Sequence, residues 1–166
     1  MTHVDDELEA LATKVGRWLS DKGWLLATAE SCTGGWISTA VTAVAGSSDW
    51  FDRGFVTYSY EAKEEVLGVS RKTLAERGAV SEEVVREMVA GALAASRADV
   101  VLAVSGIAGP GGATADKPVG TVCFAWARRD GIVASETLRF DGDRRAVRLA
   151  TVRHALGMLA ARIGAP

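Results

Sequence analysis

The sequence predicts a three-layer α/β/α sandwich around a mixed, mostly parallel central sheet that includes one hairpin. Two observations carry that expectation. Short runs with the length and composition of strands, at 24–29, 55–60 and 100–105, alternate with segments whose apolar residues recur at helical spacing. Two further strand-like runs, 120–127 and 132–140, are separated by Arg129-Asp130-Gly131, and Asp-Gly is a strong hairpin signal. No internal repeat or low-complexity linker interrupts the chain, so residues 1–166 are expected to form a single domain.

Each element has its own warrant. Leu8, Leu11, Ala12, Val15, Trp18 and Leu19 mark a first helix, and Gly23 supplies its stop. The run 24–29 is a buried strand. Helical spacing resumes after Gly34-Gly35 through Ile37, Ala40, Val41 and Val44, and Gly46-Ser47-Ser48 ends it. The run 55–60, rich in aromatic and β-branched residues, predicts the next strand. A helix over 61–67 closes at Gly68, and Ser70 and Ser81 are candidate N-caps. Glu82 and Glu83 follow Ser81, in the first turn where the helix dipole favours carboxylates. Val84, Val85, Met88, Val89, Ala92 and Leu93 form that helix's buried stripe. The strand 100–105 runs into the glycine-rich loop 106–112. Past the hairpin, Asp141-Gly142-Asp143 turns the chain into one last helix, with Val147, Ala150, Ala155, Leu156 and Leu159 facing inward.

Composition removes several classes of function. A domain of 166 residues buries about 70% of its unfolded surface, enough for a core without disulfides or a structural metal. With 19 basic and 21 acidic residues the net charge is −2, so no basic excess is available for nucleic acid. Cys32 and Cys123 make no disulfide framework and fit a reducing, cytoplasmic location. His3, in a terminus expected to be mobile, and His154, expected to be a partly buried helix residue, are the only histidines. Zinc is therefore not expected, and neither is another cofactor. The first seven residues are acidic and carry no secretory pattern. The longest apolar runs are far too short to span a bilayer.

Chemistry is expected at the carboxyl ends of the apolar strands, where open α/β sheets bind ligands. One such end carries Glu30-Ser31-Cys32-Thr33-Gly34-Gly35. Ser31 there is either a nucleophile beside free backbone N–H groups or, with Thr33, a helix cap. Neither histidine lies by a strand end, so a base for Ser31 would be a lysine, a tyrosine or a carboxylate. The segment after the next strand offers Tyr58 and Lys63. Lys63 can act as a base if desolvation lowers its pKa, or can be a solvated helix lysine. Ser105, Gly106 and the loop to Gly112 are a ligand-binding loop or a surface turn, and the Gly-Lys-Ser/Thr ending of a P-loop is absent. Arg144, Arg145 and Arg148 open the last helix against its dipole, which asks for a compensating anion unless they form a solvated face. Cys32 is a rival nucleophile or a packing residue. Trp36 and Trp50 flank the serine segment and belong to the core or stack on a ring.

Taken together these segments resemble the nicotinamide-nucleotide amidases of the CinA C-terminal family. The resemblance rests on Ala29-Glu30-Ser31-Cys32-Thr33-Gly34-Gly35, on Thr57-Tyr58-Ser59-Tyr60-Glu61-Ala62-Lys63 and on Gly78-Ala79-Val80-Ser81. It continues through Ser105-Gly106-Ile107-Ala108-Gly109-Pro110, Lys117-Pro118-Val119-Gly120, Phe140-Asp141-Gly142-Asp143-Arg144 and Val147-Arg148. It implies hydrolysis of the carboxamide of nicotinamide mononucleotide, giving nicotinic acid mononucleotide and ammonia in pyridine nucleotide salvage. It further implies Ser31 as nucleophile, Lys63 as general base and Tyr58 as their assistant, with Thr33, Gly34, Ser105, Gly106 and Arg145 touching substrate. Tyr60 departs from the family pattern, which is expected to carry a smaller polar residue. Glu30 either holds Lys63 protonated or points away and binds backbone amides. Full-length CinA proteins carry a further N-terminal domain not found in these residues, which implies a stand-alone amidase, and the resemblance suggests a homo-oligomer. The other functions compatible with the residues are a silent nucleotide-binding or regulatory module and an amidase for another small amide.

Overall fold

Five strands form one sheet in the order β2-β1-β3-β4-β5. The computed structural model describes residues 2–164. In chain order its elements are α1 (His3–Lys22), β1 (Leu26–Glu30), α2 (Trp36–Thr42), a 3-10 turn (Ser47–Asp49), β2 (Phe51–Val56), α3 (Tyr60–Leu67), α4 (Arg71–Arg77), α5 (Glu82–Ala94), β3 (Val100–Gly106), β4 (Thr121–Arg128), β5 (Val133–Arg139), α6 (Arg144–Gly157) and α7 (Leu159–Ile163). Met1, which opens the segment read for a secretory pattern, lies outside the described residues.

β1 pairs in parallel with β2 and β3, while β3–β4 and β4–β5 are antiparallel. Four strands therefore run one way and β4 runs against them, as expected for a mixed, mostly parallel sheet with one hairpin. β1 is buried along its whole length and β3 along all but its last residue, which is why both read as continuous apolar runs. Alternation sorts their side chains into two cores. Leu26, Val100, Leu102 and Val104 pack with Ile37, Trp126 and Leu156 beneath α1, α2, α6 and α7. Ala27, Ala29, Val101 and Ala103 pack with Val84, Val85 and Met88 of α5 on the other face. The small residues on that second face let α5 lie close to the sheet.

The expected helix ends and caps at Gly23, Gly68, Ser70, Ser81 and Asp143 are all present. Three expectations needed correction. The strand expected over 55–60 is β2 (Phe51–Val56). It is a half-exposed edge strand whose Asp52 and Arg53 break any apolar run, and Asp52 is held by Arg97. Beyond it, Ser59 Oγ accepts from Ala62 N at 2.9 Å and so starts a helix where strand was expected. The last helix divides at Met158 into α6 and α7. The terminus expected to be mobile is helical from His3, because Thr2 and Asp5 form a capping box.

Candidate functional site

Glu30 ends β1 at the middle of the sheet, and the next five residues make the turn into α2. That turn needs left-handed backbone at Gly34 (φ 60°) and Gly35 (φ 98°), which only glycine adopts at no steric cost. Gly35 occupies the N-cap of α2 and offers no side-chain cap. The missing cap comes from Glu30. Its fully buried carboxylate accepts from Ile37 N at 2.8 Å, Ser38 N at 3.0 Å, Ser38 Oγ at 2.8 Å and Thr33 Oγ1 at 2.6 Å. Glu30 therefore points away from Ser31 and binds backbone amides, one of the two expected arrangements. On the sheet side, Ser31 N donates to Val104 O at 3.2 Å, which ties the turn to β3.

Lys63 lies in the first turn of α3, with 1% of its surface exposed. Its Nζ is 2.9 Å from Ser31 Oγ, 2.8 Å from Thr57 O and 3.0 Å from Tyr58 O. Burial in this position pulls its pKa down from 10.5 to about 8. These contacts have a definite consequence for the amine. A charged ammonium donates its three hydrogens to the three acceptors. A neutral amine spends two hydrogens on the Thr57 and Tyr58 carbonyls, and its lone pair then faces Ser31 Oγ. In that state Ser31 donates to Lys63, which is the arrangement a serine needs to lose its proton as it attacks. Cys32, the rival nucleophile, is buried, and desolvation pushes its thiol up to about 12, so it stays protonated at neutral pH.

The remaining candidates surround this pair. Tyr58 contributes its backbone carbonyl to Lys63, while its ring is 60% exposed and its hydroxyl accepts from Arg144 Nη2 at 3.1 Å. Thr33 is fully buried, with its hydroxyl donated to Glu30 and its carbonyl accepting from Arg148. Ser105 and Gly106 end β3, one strand from Ser31, and a Cβ on Gly106 would meet Cys32 Sγ at 3.1 Å. Arg145 is exposed and lies 5.3 Å from the centre of the Trp36 ring. Arg144 also donates to Gly109 O at 2.8 Å, and it lines a cavity of about 520 Å³ together with Gly109, Pro110, Val119 and Asp143. Among the described residues, no cluster of three or more His, Cys, Asp or Glu could hold a metal ion. No helix among them is long and apolar enough to cross a membrane.

A model of the CinA C-terminal domain matches residues 8–163. The chain belongs to the CinA C-terminal domain family. It is 57% identical over 145 residues to the nicotinamide-nucleotide amidohydrolase PncC of Enterobacter agglomerans, covering 87% of this chain and 88% of that protein. It is 54% identical over 158 residues to the protein of the same name from Escherichia coli K12, covering 94% of both chains. Its fold matches the crystal structure of the competence/damage inducible protein CihA from Agrobacterium tumefaciens, with a TM-score of 0.90 and 50% identity over 93% of this chain and 94% of that one.

In this CinA-family chain the arginines of α6 do something composition did not reveal. They open the helix against its dipole, yet what meets two of them is carbonyl oxygen. Arg148 donates to Cys32 O at 3.0 Å and Thr33 O at 3.1 Å, so it clamps the serine turn through its carbonyls while Glu30 holds N–H and hydroxyl groups. Arg144 joins Tyr58 to the Gly109 loop. The sequence left both arginines either a compensating anion or a solvated face, and these partners were not legible, because backbone carbonyls leave no mark in a sequence. The Thr57 and Tyr58 carbonyls on Lys63 were not legible for the same reason. Tyr60, expected to depart from the family pattern, accepts from Ala79 N through its hydroxyl at 3.1 Å and braces the turn after α4.

Proposed function

We propose that this chain hydrolyses the carboxamide of nicotinamide mononucleotide to nicotinic acid mononucleotide and ammonia, with Ser31 as nucleophile and Lys63 as general base. The observation that carries the mechanism is the buried Lys63 amine, 2.9 Å from Ser31 Oγ and tethered by two carbonyls. The substrate follows from the relatives of 54–57% identity named for the nicotinamide nucleotide.

In the first step the Ser31 oxygen bonds to the amide carbon as Lys63 takes the hydroxyl proton. Backbone N–H groups of the serine turn or of the 105–112 loop hold the oxyanion. Collapse breaks the C–N bond, and Lys63 returns its proton to the departing nitrogen, which leaves as ammonia. Water, deprotonated by the now neutral Lys63, attacks the acyl-enzyme. Expulsion of Ser31, reprotonated by Lys63, releases the carboxylate and restores the site. In this reading Gly34 and Gly106, which are not fully buried, let the ring approach the backbone beside the buried Ser105, Arg145 supplies charge for the phosphate, and Tyr58 borders the reacting amide.

The test is product analysis with nicotinamide mononucleotide, free nicotinamide and simple aliphatic amides, all without added metal. Conversion of the mononucleotide at least about tenfold faster than the other amides is expected, since a nucleotide site loses its charged anchor with the smaller compounds. Equal rates on free nicotinamide would contradict the substrate. Binding without conversion of any of them would leave a ligand-binding module.

A further inference from the structure

We infer that Glu30, which takes no part in proton transfer, is a positioning residue: its buried carboxylate holds the turn that presents Ser31 to Lys63. The inference rests on the reaction proposed above. Its ground is a buried charge used entirely on one short stretch of backbone. Glu30 is fully buried, and among the described residues no lysine or arginine forms a salt bridge with it. Its four hydrogen bonds all go to residues 33–38, on the far side of the serine turn. Its own backbone is locked in the sheet, in register with Val56 of β2 and Val104 of β3. The residue thus has one end in the rigid sheet and the other at the start of α2. Ser31 and Cys32 span the gap between them.

The other supports of the turn are fewer. Gly35 gives no cap, α2 has only seven residues, and Arg148 touches carbonyls alone. Without the carboxylate, the N–H groups of Ile37 and Ser38 lose their acceptor inside the protein, and the turn must shift to find another. A glutamine keeps the length but puts an amide NH2 against N–H and O–H donors, so it cannot restore all four bonds. Ser31 reaches Lys63 from the opposite side of this turn. A displacement well below an ångström already weakens the alignment on which proton transfer depends. The effect falls on kcat, because the carboxylate is fully buried and does not touch substrate.

The experiment compares wild type, Glu30→Gln and Ser38→Ala by kcat and KM for nicotinamide mononucleotide, by pH profile, and by hydrogen exchange over residues 31–38. Glu30→Gln is expected to lower kcat by at least about tenfold with KM within about twofold, and to speed exchange in the turn. The acid limb of its pH profile should stay where wild type has it. A folded Glu30→Gln enzyme with wild-type kcat overturns the inference. So does an acid limb that moves, because Glu30 would then act on the charge of Lys63. If Glu30→Gln fails to fold, Ser38→Ala decides, since it removes one of the four bonds: a lower kcat at unchanged KM supports the role and an unchanged kcat overturns it. An inactive wild type would sink the proposed reaction instead, and exchange in the turn unchanged by Glu30→Gln would then overturn the positioning role by itself.

Discussion

Lys63 is a residue whose ordinary preference is reversed by its surroundings. A lysine is normally solvated and charged, and this one is fully covered and beside two carbonyls and a serine hydroxyl. Burial costs the charged form most, so its pKa falls to about 8. The sign for activity follows directly. In the proposed reaction the neutral amine is the base, so kcat/KM for the mononucleotide should rise about tenfold per pH unit below pH 8 and level off above it. A rate that is flat between pH 6 and pH 9 would mean that Lys63 is not the base. Ser31 and Lys63 were legible in the sequence as residue types at strand ends. The direction of Glu30 was not, because a carboxylate next to a serine can turn to either side of a strand end. Its partners, Ile37 and Ser38, come from a helix whose start depends on the same turn.

At the level of elements, the site depends on how closely α3 packs against α5. Gly91 of α5 faces the C-terminal end of α3, and a Cβ there would lie 1.8 Å from Leu67 O. Backbone cannot swing aside as a side chain can. Gly91→Ala should therefore cost about 2 kcal/mol or more of stability and push α3 away from its seat, lowering activity as well. Thermal unfolding and kcat measured on the same variant check both effects, and an unchanged melting temperature would show that the helices have more room than their spacing indicates. Elements were legible where local signals are strong: Ser70, Ser81 and Asp143 all cap helices. β2 was misplaced because an edge strand with one polar stretch lacks the apolar run that identifies β1 and β3. Its register is set by β1, a partner in space that local patterns do not name.

For the whole molecule, the sheet order is what assembles the site. With β1 between β2 and β3, three parallel strands end side by side. The residues that follow them bring Ser31, the Thr57–Tyr58 carbonyls and the Ser105–Gly106 turn to one edge, and α6 braces two of these three segments through Arg144 and Arg148. The layered class could be anticipated from alternating apolar runs and helical stretches, but the neighbour relations among strands could not. The 32 positions from Ser31 to Lys63 are crossed in 2.9 Å only because β2 returns alongside β1. The proposed reaction requires these two residues to act as one unit. Ammonia release from nicotinamide mononucleotide, compared between wild type, Ser31→Ala and Lys63→Ala, tests it most directly. Activity in wild type that falls by at least about a thousandfold in both variants is the predicted result, since residues acting as a unit lose nearly everything when either is removed. Full activity in Ser31→Ala or in Lys63→Ala would contradict it.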